Sequence, residues 1–183
     1  MKIPYLELSN NIKKHPGLVE ILRILDKAIV VCTVILYLIL VGIAFISIFV
    51  SYFFETEGIM TECILYILVP GISFLLITLF RKKLNAPRPY EVYGFEPAIP
   101  KDTKGNSFPS RHVFSIFMIA MTYSYSALFQ DDIKLIVSIF AMGVVLAIIR
   151  VLGGVHFLKD VMAGAISGIV LGYVGFYLLG GIF

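Results

Sequence analysis

The sequence predicts an all-α integral membrane protein, a five-span helical bundle with an N-terminal interfacial amphipathic helix. Three observations lead there. Hydrophobic residues make up 59% of the chain and mean hydropathy is +0.95, far above the soluble average. Apolar runs of membrane-crossing length recur and are separated by short polar turns. The polar residues capable of chemistry gather in segments that an odd number of crossings places on one face. With 183 residues there is room for one such domain. The net charge of +3 is small and the basic residues are not interleaved with exposed aromatics, which points away from a nucleic-acid partner. Cys32 and Cys63 each sit inside an apolar run, too few for a disulfide framework or a zinc site. Nothing calls for a cofactor or an obligate protein partner.

Residues 1–27 have scattered charges and no signal-peptide pattern. From Pro16 onward, Leu18, Ile21, Leu22 and Leu25 recur at helical spacing, with Glu20, Arg23, Asp26 and Lys27 between them, describing an amphipathic helix on the membrane surface. Residues 1–27 are thus read as an interfacial segment and 28–183 as the transmembrane domain. Ala28–Phe54 is the first span and Glu55–Gly58 a turn. Ile59–Phe80 is the second span, bent by Pro70 and Gly71, with Glu62 interfacial near its entry. Residues 81–109 hold five prolines and two glycines, a structured loop. The third span runs from about Ser110 to Phe129. Gln130, Asp131 and Asp132 form a tight turn, and Ile133–Ile149 is the fourth span. In the fifth, Asp160–Phe183, Gly164, Gly168 and Gly172 make one smooth stripe for close packing against a neighbouring helix.

Five spans place the N-terminus and the loops 81–109 and 151–159 on one side. That side carries all of the 15 lysines and arginines except Lys134, so by the positive-inside rule it faces the cytoplasm.

Three polar clusters meet there: Arg81–Pro89, Ser107–His112 and Arg150–Asp160. Arginines from separate places suit a phosphate, because each guanidinium offers a planar fork matched to oxyanions. Ser107 fits an N-cap with Pro109 in the first turn, which would leave backbone N–H groups near Ser110 and Arg111 free for an anion. Asp160, four residues after His156 in a helix's first turn, can fix the imidazole tautomer. His156 is then the better nucleophile and His112 the better general acid. A metal site is the competing use of two histidines and an aspartate, disfavoured because the arginines repel a cation.

The order and spacing of these clusters resemble the type 2 phosphatidic acid phosphatase (PAP2) superfamily, whose signatures are K-x6-R-P, P-S-G-H and S-R-x5-H-x3-D. Here Arg81–Pro89 is R-x6-R-P, Pro109–His112 is P-S-R-H and Ile149–Asp160 is I-R-x5-H-x3-D. The resemblance implies a lipid phosphatase that works without metal. His156 would form a phosphohistidine, Asp160 would orient it and His112 would protonate the leaving group. Arg88 and Arg150 would bind phosphate oxygens, with Ser110 and nearby N–H groups completing the cradle. Arg81 stands for the family lysine, Arg111 for its glycine and Ile149 for its serine; Arg111 introduces a cation suited to a diphosphate or other polyanionic head group.

The expected activity is hydrolysis of a lipid phosphate monoester or diphosphate, such as phosphatidic acid, phosphatidylglycerol phosphate or a polyprenyl phosphate or diphosphate. The alternatives are phosphotransfer to another acceptor and a non-catalytic lipid-binding or transport protein that keeps the cradle. The expected location is the bacterial cytoplasmic membrane. The six-span bacterial members usually carry the site on the extracytoplasmic face; the charge distribution here argues for the cytoplasmic face.

Overall fold

The computed structural model describes residues 3–54, 57–101 and 103–179, and every regular element among them is helical. In chain order these are α1 (Ile3–Lys13), α2 (Pro16–Phe54), α3 (Glu57–Leu84), α4 (Pro89–Tyr93), α5 (Arg111–Tyr125), α6 (Ile133–Leu152) and α7 (Leu158–Tyr173). The last runs on as a π-helical stretch, Val174–Leu179. Four stretches, Pro16–Val50, Cys63–Tyr93, Ile133–Leu152 and Leu158–Leu178, are long and apolar enough to cross a membrane. Their outward side chains are apolar and exposed, among them Leu38 and Phe49 on α2, Leu75 on α3 and Ile166 on α7. A surface of this kind is stable in lipid, where helices satisfy their own backbone polar groups.

α2 differs from expectation in one respect. Residues 16–54 form a single helix, with Pro16 at its first position and no break at 27/28. At ~1.5 Å per residue a helix of 39 residues extends ~58 Å, beyond the ~30 Å hydrocarbon core. Its first turns show an orientation that the amphipathic pattern left open. Leu18, Ile21 and Leu25 are exposed, whereas Asp26 is buried and Arg23 Nε donates to Ala98 O at 2.8 Å. Some of the polar side chains therefore face protein. Pro70 lies inside α3 without ending it. Glu55 and Thr56 of the expected turn, and the side chain of Glu62, lie outside the described residues.

α5 is the axis of the bundle. Of its 15 residues, ten are buried, from Val113 to Tyr123, because α2, α3, α6 and α7 pack around it. It ends at Tyr125, earlier than the expected Phe129, and residues 126–132 turn back through a cap in which Asp132 accepts from Leu135 N–H. The glycine stripe of α7 lies against this helix. A Cβ on Gly164 would sit 2.5 Å from Ser110 O, one on Gly168 2.8 Å from Phe114 O, and one on Gly172 2.6 Å from Met121 Cβ. Two of these contacts are with main chain, which cannot step aside as a flexible side chain can, so the two backbones are as close as glycine allows.

Gly168→Ala should therefore destabilise the protein by about 1–3 kcal/mol through overpacking. Gly71→Ala, with nothing within 4 Å of the added methyl, should leave stability unchanged or slightly raised. Thermal unfolding of the detergent-solubilised variants checks the contrast; equal midpoints would contradict it.

A cationic candidate active site at one end of the bundle

The loop after α6 is built to present an imidazole. Gly154 adopts φ +74°, a left-handed conformation that glycine takes without strain, and reverses the chain. The N–H groups of Val155 and His156 then both donate to Arg150 O at 3.2 Å. His156 is buried, with Nδ1 3.5 Å from Asp160 Oδ2 in the first turn of α7. Asp160 Oδ2 also accepts from Phe157 N–H at 3.0 Å and from Ser107 Oγ at 2.5 Å, and Ser107 Oγ lies 3.4 Å from His156 Nδ1. Ser107 is thus not the N-cap of α5. That position belongs to Ser110, and the Ser107 hydroxyl serves the buried carboxylate. Burial pushes His156 down to about 4; the Asp160 hydrogen bond opposes the shift and the Arg88 charge adds to it.

A cavity of about 200 Å³ opens beside this pair. His112 and His156 both line it, as do Arg81, Arg88, Arg111 and Arg150. The structure thereby brings together side chains from all three sequence clusters. Arg81 is buried and donates to the carbonyls of Pro109, at 2.7 Å, and Asn106. Arg88 donates to Gly105 O at 3.0 Å and Val155 O at 3.1 Å. Arg111 lies over the Phe74 ring, 5.3 Å from its centroid. Ser110 departs from expectation: it does not line the cavity, and its N–H is committed to Asp160 O at 2.8 Å instead of being free for an anion. This bond joins the start of α5 to the start of α7.

Several contributors to the cavity belong to none of the three sequence clusters. Lys101, Lys104 and Asn106 line the cavity from the proline-rich loop. Burial lowers Lys101, and neighbouring arginines reinforce the effect. Glu91 folds that loop by accepting from Arg88 N–H and Gly105 N–H, both at 2.8 Å. Asp26 of α2 reaches Arg150, with Oδ1 2.6 Å from Nε. A carboxylate three residues into the short helix α4 was a legible capping signal, whereas nothing near Asp26 in sequence points to Arg150. Among the described residues, no three His, Cys, Asp or Glu side chains converge on a point that could hold a metal.

A second cavity, of about 210 Å³, shares Arg111 and His112 with the first and adds Val30, Thr33, Phe74 and Leu146. A third, of about 310 Å³ and almost wholly apolar, continues it past Tyr37, Pro70 and Met118. Cationic cavity and apolar groove thus form one track between α2, α3 and α5.

An integral membrane protein with a cationic, two-histidine site at the end of a helical bundle is the class that fold and geometry define. The PAP2 superfamily matches residues 62–182, and the chain belongs to this superfamily; it is a phosphoric ester hydrolase. Several solved structures share the fold, two of them as follows. One is that of Aquifex aeolicus LpxE, with 23% identity, TM-score 0.52, and coverage of 85% of this chain and 92% of that one. The other is the first transmembrane PAP2 type phosphatidylglycerolphosphate phosphatase from Bacillus subtilis, with 20% identity, TM-score 0.54, and coverage of 98% and 94%. No curated protein matches the chain.

His156 should remain neutral at pH 6, taking up a proton only as pH falls through about 4. Because the unfolded chain binds that proton near 6.5, this residue's contribution makes the fold less stable as pH falls from about 6.5 to 4. Nitrogen-15 NMR of labelled histidines in micelles checks the protonation state; a His156 midpoint near 6.5 would contradict it.

Proposed function

We propose that this protein hydrolyses the phosphate monoester or diphosphate of a membrane lipid through a phosphohistidine on His156. The observation that carries the reading is the continuity of the cationic cavity with the apolar groove, which meet at Arg111 and His112. A charged head group and an acyl or prenyl tail fit these two environments in that order. A soluble phosphate ester would have no use for the groove.

In the first step Nε2 of neutral His156 attacks phosphorus while the P–O bond to the lipid breaks. Asp160 holds the Nδ1 side of the ring and stabilises the positive charge that develops on it. His112, protonated in the substrate complex, gives its proton to the departing lipid oxygen. In the second step His112, now neutral, takes a proton from water as that water attacks the phosphohistidine. The P–N bond breaks, phosphate leaves, and both histidines return to their starting states. Arg88, Arg111 and Arg150 oppose the charge of the phosphoryl oxygens, and Arg81 holds the loop carbonyls that shape the cavity.

His156→Ala should reduce phosphate release from lipid substrates by about 10³-fold or more, and His112→Ala should slow the step that expels the lipid oxygen. Purified protein on a panel of lipid phosphates and diphosphates, with chelator present, tests this. Release that persists in His156→Ala overturns the nucleophile, and loss of wild-type activity to the chelator favours a metal enzyme.

We further read α5 as a fifth crossing. Its 15 residues give ~22 Å of helix, and the segments at either end, enclosed by the other helices, complete the depth. The site then lies on the side with all but one of the 15 lysines and arginines, the cytoplasmic side. A Lys104→Cys protein lacking its two native cysteines should resist an impermeant thiol reagent in intact cells and react after lysis. Labelling in intact cells reverses the orientation.

A further inference from the structure

We propose that Asp26, on the first turns of α2, is a positioning residue that holds Arg150 for phosphoryl transfer. The proposal rests on the functional reading above and adds to the site a side chain from outside residues 62–182, the part of the chain that matches the superfamily.

Arg150 is held differently from its neighbours. Arg81 and Arg88 are oriented by backbone carbonyls, which are neutral acceptors on the loops that form the cavity. Arg150 instead meets a carboxylate from a different helix: its Nε is 2.6 Å from Asp26 Oδ1, and the two side chains are 5% and 10% exposed. The contact is a close ion pair without in-line hydrogen-bond geometry, and neither atom has a hydrogen-bond partner elsewhere among the described residues. Arg150 lines the cavity and Asp26 does not, so the carboxylate approaches the guanidinium from behind. Contact at Nε leaves the two terminal nitrogens, the fork that matches two phosphate oxygens, uncommitted to Asp26.

The backbone reinforces this arrangement. Arg150 O accepts the N–H groups of Val155 and His156, so the residue that Asp26 holds also anchors the loop bearing the nucleophile. One turn before Asp26, Arg23 is tied to Ala98 O, which holds α2 against the loop that carries Lys101. A buried carboxylate beside so many cations also offsets their mutual repulsion while the cavity is empty.

Positioning and simple charge balance predict opposite results. Asp26→Asn removes a negative charge near an anion site, so charge alone would tighten phosphate binding and leave turnover intact. If the carboxylate positions Arg150, the same variant should lose about 10- to 100-fold in kcat, because a fork displaced by about 1 Å no longer fits the transferring group. Asp26→Glu, which keeps the charge on a longer arm, should retain more activity than Asp26→Asn. Combining Asp26→Asn with Arg150→Lys should cost little beyond Arg150→Lys alone, since lysine has no Nε contact to lose.

The experiment is a double-mutant cycle on kcat and KM with a lipid phosphate, joined to calorimetric titration of inorganic phosphate into the same detergent-solubilised proteins carrying His156→Ala. Weaker phosphate binding by Asp26→Asn, and a kcat loss that disappears in the Arg150→Lys background, are the expected results. Equal or tighter phosphate binding, or independent effects of the two substitutions, overturns the role of Asp26. If the protein binds phosphate but hydrolyses no lipid phosphate, the proposed lipid substrate fails while the binding arm still decides the role of Asp26. Should Asp26→Asn not fold, Asp26→Ser, which leaves space for water beside Nε, takes its place with the same expectations.

Discussion

Both the side chain and the main chain of Asp160 are committed. Its carboxylate accepts from Ser107 and from Phe157 N–H and lies against His156, while its carbonyl accepts from Ser110 N–H. A carboxylate this deeply buried would be costly without such partners, so folding and site assembly are one process. The proline-rich loop, the start of α5, the loop after α6 and the start of α7 come together where Asp160 sits. Its spacing from His156 is a helical turn, but its grip on Ser107 spans 53 residues.

Around this point the protein solves an electrostatic problem. Seven basic side chains, Arg81, Lys82, Arg88, Lys101, Lys104, Arg111 and Arg150, line one cavity at the edge of an apolar bundle. Several are restrained before any anion arrives, by carbonyls for Arg81 and Arg88, by the Phe74 ring for Arg111 and by a carboxylate for Arg150. Donors fixed in advance need little rearrangement when negative charge develops, which is where electrostatic stabilisation in a partly desolvated site is most effective. The same bonds shape the loops, so the cationic lining and the scaffold are not separable here.

Local rules in the sequence were enough to recover much of this. The approach of His156 to Asp160 in the first turn of the helix that follows it, the glycine stripe and the long apolar runs each follow from local spacing. Where expectation and structure part, a long-range partner outweighed a local rule. Ser107 precedes a proline in the pattern of an N-cap, but a buried carboxylate gains more from its hydroxyl than a helix end does, and Ser110 takes the cap position. The change in composition near residue 27 resembles a boundary; yet after Pro16 no proline interrupts α2, so the backbone continues. Asp26 and Lys101 carry no local signal, because their importance lies in partners that only the packed bundle supplies.

The contact between α5 and α7 has a consequence for the membrane around it. Most helix pairs are separated by side chains, whose rotamers yield when a bilayer thickens or thins and helices tilt to follow. Here glycine sets backbone against backbone at Gly164 and Gly168, leaving no compressible layer between the helices that carry His112 and Asp160. Changes in lipid thickness will therefore be absorbed by the outer helices, above all by long α2. The distance between the helices that carry His112 and Asp160 is thus the one least able to change with the thickness of the bilayer.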